Sequence, residues 1–383
     1  MKTIFKSMTL AVTAATMLAI VPSAAMAVGD ADFDAPLAAL PAPPVPADNP
    51  QTPEKIELGK KLFFDGRLGG DQSTPCVACH EGSQGWAYNA PISRGYPGTV
   101  HWRFSQTIVN SAYYSKLFWA GSSKSLESQA KSAAGGAVAG NGEFDVMTAR
   151  LALVPEYREA FKEIFGDNVP KLANAWRAIA AWERTMVQRD TPFDKYMNGD
   201  ESALTVQQQL GMELFQGKAN CIECHNGALF TDEKYYNNGV PTNERWSEDG
   251  LAQITFRYEL YAKGSTEKLY RHTKRDPGFY FRTKQKRDKG KFRTPSLRYT
   301  AYTFPYMHNG TIATLEDVID FYNKGGGDDA WGTKTKILKP LGLTGTEKAD
   351  LLAFLKSLSG EQITVETPEL PDSVSLSEIP VVK

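Results

Sequence analysis

Cys76-Val77-Ala78-Cys79-His80 and Cys221-Ile222-Glu223-Cys224-His225 together use all four cysteines of a 383-residue chain. Cys-x-x-Cys-His is the attachment signature of a c-type haem. Each thiol adds across one haem vinyl group, and the histidine beside the second cysteine becomes the proximal iron ligand. The three residue types sit this close because one short helical turn must hold both the porphyrin edge and the iron. Cys-x-x-Cys pairs also serve zinc sites and disulfides. A zinc site needs no histidine after each pair, however, and the two pairs begin 145 residues apart (221 minus 76). The expectation is two covalently bound haem c groups, one on Cys76, Cys79 and His80 and one on Cys221, Cys224 and His225.

Segments flanking these motifs set the context. Met1 to Ala27 reads as a cleavable signal peptide: Lys2 and Lys6 precede an apolar run, and Ala25-Met26-Ala27 is a small-x-small cleavage site. The run is too short for a confident membrane span. The expected mature protein is periplasmic and not integral to a membrane. Its charge is 41 basic against 44 acidic residues, since Lys2 and Lys6 leave the total of 43, and −3 argues against general nucleic-acid binding. The balance is uneven. Lys263 to Arg293 carries twelve Lys/Arg and three Asp/Glu, a local +9 that leaves −12 elsewhere. A solvated loop has this composition, and so does a docking surface for an acidic partner protein.

Between the ends lies an internal repeat. Leu58-Gly59-Lys60-Lys61-Leu62-Phe63 precedes the first motif and Leu210-Gly211-Met212-Glu213-Leu214-Phe215 precedes the second. A duplicated local pattern implies duplicated domains. The reading is a signal peptide over 1–27, a Pro-rich linker over 28–53, haem domains over 54–200 and 201–360, and an extended tail over 361–383. Leu172, Trp176, Ile179, Met186 and Val187 mark a helical stripe from Lys171 to Gln188. Thr344 with Glu347 resembles a capping box before Leu351, Phe354, Leu355 and Leu358, and Thr314 precedes Leu315, Val318, Ile319 and Tyr322 at helical spacing. No sustained period-2 pattern is present, so the fold is expected to be mainly α with long loops.

Phe292-Arg293-Thr294-Pro295-Ser296-Leu297-Arg298, Thr303-Phe304-Pro305-Tyr306-Met307-His308-Asn309-Gly310, Phe118-Trp119 with Leu126-Glu127-x-Gln129, and Ala181-Trp182-Glu183-Arg184-Thr185 resemble the bacterial di-haem cytochrome c peroxidases and their MauG-type relatives. The resemblance runs from about Glu54 to Gly360. It implies two cytochrome c-like haem domains, a peroxide-reactive haem on His80, an electron-transfer haem on His225, and Trp119 between them. It also implies a sixth iron ligand fourteen residues after His308, a methionine in the peroxidases and a tyrosine in MauG-type enzymes. Here that residue is Tyr322. Gln129 and Glu143 match the distal glutamine and acid, although Glu143 lies four residues further on than is usual. Tyr96 stands where many family peroxidases carry a histidine that blocks the first iron; His101 lies five residues away. Thr303 and Pro305 match carbonyl ligands of one calcium ion, but Phe104 replaces the asparagine that completes them.

Three functions follow as expectations. The leading one is a MauG-like oxidoreductase that uses hydrogen peroxide and oxidises residues of a partner protein through high-valent haem. The second is a cytochrome c peroxidase removing peroxide with electrons from small redox proteins. The third is a non-enzymatic electron-transfer protein. MauG-type enzymes carry an exit tryptophan before the second motif, whereas here Ala219-Asn220 precede Cys221.

Overall fold

The computed structural model describes residues 36–96 and 101–373; Met1 to Ala27 lies outside them. Eight helices organise it: α1 (Pro53–Phe64), α2 (Leu126–Ala134), α3 (Pro155–Phe165), α4 (Leu172–Glu183), α5 (Val206–Gln216), α6 (Gly250–Ala262), α7 (Leu315–Asn323) and α8 (Gly345–Ser357). Among the described residues the one sheet is a pair of two-residue strands, β1 (Tyr235–Tyr236) antiparallel to β2 (Phe292–Arg293).

Helix starts follow the expected chemistry. Thr52 accepts from Lys55 N ahead of Pro53 at the start of α1, Thr314 accepts from Asp317 N, and Thr344 forms a reciprocal capping box with Glu347. α4 is shorter than its stripe suggests. It ends at Glu183, because the chain beyond turns to bond Asn110: Met186 O accepts from Asn110 N, and Gln188 N donates to Asn110 Oδ1. Met186 is still buried, but outside the helix.

Two cores form, each with one copy of the repeat. The first gathers Leu58, Leu62 and Phe63 of α1 with Tyr157, Phe161, Ile179 and Trp182, and Cys76 packs against it. The second gathers Phe215 of α5 with Phe230, Leu351, Phe354 and Leu358, and Cys221 packs against it. The repeated glycine has the same use in both. A Cβ on Gly59 would lie 1.9 Å from Ala178 O of α4, and one on Gly211 would lie 2.0 Å from Asp350 O of α8. Bare backbone lets each motif's leading helix cross its partner at contact.

The chain ends tie the cores together. Leu37 is buried in the second core, whereas Asn49 bonds Glu127 and Arg177 O beside the first. At the other end, Ile363 and Val365 pack on the first core, and Trp86 Nε1 donates to Ile363 O. Within the described residues, single side chains of both extended segments are thus anchored on the cores. Phe193 sits in the second core and Tyr299 in the first, so the cores also exchange single residues. Between them, Arg298 donates from two nitrogens to Asp194 at 2.9 Å each, with both side chains 1% exposed. Burial pushes the Asp194 carboxyl up, but Arg298 and its hydrogen bonds overcome this and hold it below the ordinary value.

Candidate functional site: two haem-binding motifs on one cavity

Each motif forms a single tight turn, Cys76–Ala78 and Cys221–Glu223, that sets its histidine against a carbonyl from a residue of positive φ. His80 Nδ1 lies 3.2 Å from Trp86 O, and His225 Nδ1 lies 3.0 Å from Phe230 O. A carbonyl only accepts, so Nδ1 carries the proton in both rings and Nε2 is left as a metal ligand. Burial lowers both histidine pKa values, which keeps the rings in the neutral form that iron requires. None of the four cysteines is in a disulfide, and among the described residues no group of three or more His, Cys, Asp or Glu is set to hold a metal ion. Cys76 packs against the first core and Cys221 against the second.

Both motifs open on one cavity of about 810 Å³, lined by Cys76, Cys79 and His80, by Cys221, Cys224 and His225, and by Trp119 and Tyr322. The donor chemistry fits covalent haem: thiols to add to vinyl groups, an imidazole with Nε2 free, and a mainly apolar lining. Trp119 is clamped from two sides. Its Nε1 donates to Phe104 O at 2.8 Å, and its carbonyl accepts from Arg293 N of β2 at 2.9 Å. The Phe292-Arg293 signature therefore acts as a brace for Trp119. His308 is buried, stacks on Phe292 at 3.6 Å and meets Trp119 edge-on at 6.4 Å, fixing the same loop.

Tyr322 projects from α7 into the cavity with Leu315, Val318 and Ile319. Burial pushes its phenol up to about 12, opposed by Asn238, whose Nδ2 donates to Tyr322 Oη at 3.1 Å. The position thus supplies a neutral phenol with a hydrogen bond already placed for the phenolate.

The acids fall differently from their expected places. Glu143 is exposed at the start of the short helix Phe144–Ala152; that helix turns Met147 and Leu151 inward and leaves Glu143 facing solvent, off the cavity wall. Gln129 does line the cavity. So does Glu183, 4% exposed, with Oε2 lacking any protein partner. Burial pushes this carboxyl up to about 8, Arg184 beside it only partly opposing; the Cys76 thiol is raised by burial first and then by Glu183. The sequence put Glu183 inside a helix motif but gave no sign that it faces a cofactor.

Tyr96 is not among the cavity residues and packs against Gly70. His101 lines the cavity; its Nδ1 accepts from Arg103 N, its ring stacks on Trp102 at 4.2 Å, and burial lowers its pKa to about 3. Thr303 and Pro305 also line the cavity, on either side of Phe304. Phe104 packs with Ala87 and Trp119 and brings no side-chain oxygen.

Comparison with known proteins agrees with this geometry. Residues 53–202 match the family described as di-haem cytochrome c peroxidase. The chain is 56% identical to cytochrome-c peroxidase IdrP1 of Denitromonas iodatirespirans, over 94% of this chain and 95% of that protein. It is 33% identical to methylamine utilization protein MauG of Methylorubrum extorquens, over 86% and 84%. Among solved structures, a MauG-like protein associated with microbial copper homeostasis superposes with a TM-score of 0.71 at 31% identity, over 84% of this chain and 94% of that one. The chain belongs to the di-haem cytochrome c peroxidase and MauG family. It is thus an oxidoreductase of peroxidase type, mainly α, with two haem c groups in two cytochrome c-like domains, and its oxidant is hydrogen peroxide.

Proposed function

We propose that this enzyme reduces hydrogen peroxide at the haem held by His80, with electrons drawn from a partner protein through the haem held by His225. The observation that carries the reading is the single cavity holding both motifs, with Trp119 braced in it and Tyr322 facing it. Bound haem supplies the iron that takes peroxide and stores oxidising equivalents. The balance is one peroxide, two electrons and two protons to two waters. The haem domains are assigned to 54–200 and 201–360, and the Met1–Ala27 segment directs export to the periplasm. A calcium ion on the Thr303 and Pro305 carbonyls would take its other oxygens from water, because Phe104 offers none.

The chain's own groups divide the remaining work. Trp119 bridges the two haem sites. Tyr322 would hold the iron of the second haem through its oxygen, which Asn238 already contacts. Glu183 Oε2, rather than the outward-facing Glu143, holds the proton delivered during O–O cleavage, and Gln129 offers a further polar contact in the same cavity. The relatives above 50% identity carry the peroxidase name, which favours electron uptake from a small redox protein. Tyr322 and the MauG relative favour a second reading, in which the electrons come from residues of a protein substrate that is thereby modified.

Two results test this. With Tyr96 off the cavity, the fully ferric enzyme should react with one equivalent of peroxide within seconds, without prior reduction; stopped-flow absorbance checks it. A ferric enzyme that stays silent until reduced by one electron would instead put His101 on the first iron. Glu183→Gln should slow the peroxide reaction by about 10²–10⁴-fold, the range for a positioned acid, whereas Glu143→Gln should leave it unchanged. The wild-type rate should fall as pH rises through about 8, where Glu183 loses its proton. Equal rates in both variants would remove Glu183 from the reaction. Mass spectrometry of candidate partners after peroxide treatment separates the two readings.

A further inference from the structure

The inner side of α6 turns Ala252, Phe256 and Leu260 into a small core with Trp102, Tyr280 and Phe281, all three helix residues at 1% exposure or less. Its outer side is apolar as well. Leu251, Ile254, Tyr258 and Tyr261, at i, i+3, i+7 and i+10, are 59%, 64%, 58% and 62% exposed. A helix apolar on both faces is built to be covered on both; Tyr270 meets Tyr261 edge-on at 5.5 Å, yet all four residues of the outer stripe stay more than half exposed.

The surroundings say what covers it. Nine of the twelve Lys/Arg between Lys263 and Arg293 are exposed. The acids of that segment do little to offset them: Asp276 turns inward to Arg103 at 2.6 Å and Asp288 is buried 3.4 Å from Lys291, so Glu267 is the one exposed acid, bonded to Arg271. The basic charge found in the sequence is therefore real at the surface and adjoins the C-terminal end of the stripe. Beneath it, Phe256 lies 5.4 Å from Trp102, and both residues line the haem cavity.

We propose that the outer face of α6, with the basic segment that follows it, is the docking face for an acidic redox protein that delivers electrons to this enzyme. The inference rests on the reading above that electrons come from a partner protein. An apolar centre with a charged rim is the anatomy of such an interface: the stripe supplies contact energy, and the opposite charges speed encounter. An anionic membrane fits less well. Glu244 and Glu248 are exposed at the start of the same surface and would face the headgroups, and the helix's inner side is joined to the cofactor cavity, which a lipid contact does not use.

The test is binding, measured on the ferric holoenzyme without peroxide. The probe is a strongly acidic monohaem cytochrome c, with a basic cytochrome of the same fold as control. The acidic probe should bind, and its affinity should fall steeply as salt rises, because screening shortens to about 8 Å at physiological ionic strength. Leu251→Ser with Ile254→Ser should weaken it by about tenfold or more, as loss of a central apolar contact does. Lys268→Glu with Arg271→Glu should flatten the salt dependence. Unchanged haem spectra in both variants exclude misfolding as the cause. The proposal fails if the acidic probe does not bind wild type, if both variants bind it as wild type does, or if the basic control binds equally well. It also fails if phosphatidylglycerol vesicles, and not the cytochrome, lose binding in the stripe variant. Since no peroxide is present, docking is tested even if the peroxide reaction fails.

Discussion

Replacing Tyr322 by methionine should raise the potential of the second haem by hundreds of millivolts, within the range of about 0.8 V that axial ligands span. The direction follows from charge. A phenolate brings an anion that favours ferric iron, whereas a thioether is neutral and favours the reduced metal. The proposed ligation fits the free side chain: burial pushes the phenol up to about 12, and Asn238 Nδ2 stands 3.1 Å from Oη, where it would stabilise a phenolate. Potentiometric titration of Tyr322→Met checks the shift, and Asn238→Ala should move the potential in the same direction by less. Tyr322→Phe is the decisive control, since it keeps the ring and removes only the oxygen. An unchanged ferric spectrum in that variant would reduce Tyr322 to a packing residue.

What the sequence made legible was local. The two motifs, the repeated helix leading into each, and the caps at Thr314 and Thr344 all concern residues a few positions apart. Their structures follow from neighbouring chemistry, and the α7 stripe correctly turned Tyr322 inward. What was hidden depends on distant partners. α4 carries an apolar period beyond Glu183, but Asn110, more than seventy residues earlier, claims Met186 and Gln188 by hydrogen bonds and ends the helix. Glu183 stood within the Ala181-Trp182-Glu183-Arg184-Thr185 stretch that carries the resemblance, but nothing near it in sequence reveals that its side chain lines a cavity. Asn238 could not be matched to Tyr322 across 84 positions. Composition found the basic segment, and the structure adds that Asp276 and Asp288 turn inward, which leaves Glu267 as its one exposed acid. The outer stripe of α6 depends on the same kind of information, because only the structure shows that Ala252, Phe256 and Leu260 are buried while Leu251, Ile254, Tyr258 and Tyr261 stay exposed.

Gly59→Ala and Gly211→Ala should each destabilise one haem domain and spare the other. In both, the added methyl carbon would fall about 2 Å from a backbone oxygen of the crossing helix, Ala178 O or Asp350 O, and backbone cannot swing aside as a long side chain can. Overpacking of this kind costs about 1–3 kcal/mol, equivalent to about 2–4 °C of Tm per kcal/mol for domains of 150–250 residues. The damage should be traceable by site. Gly59 sits on the helix whose Phe63 packs 6.2 Å from the His80 ring and 4.5 Å from Trp182, so its variant should perturb the haem on His80 first. Gly211 sits on the helix whose Phe215 packs 5.8 Å from Phe230, the residue whose carbonyl holds His225, so its variant should perturb the haem on His225. Gly345→Ala is the matched control: a Cβ there meets nothing within 4 Å, and a Gly-to-Ala change at a compatible position stabilises by about 0.4–1 kcal/mol through the unfolded chain. Thermal melts followed at each haem's own absorbance would read the two transitions separately. Equal effects of all three substitutions would mean that the helix crossings relax freely and that the repeated glycine has no packing role.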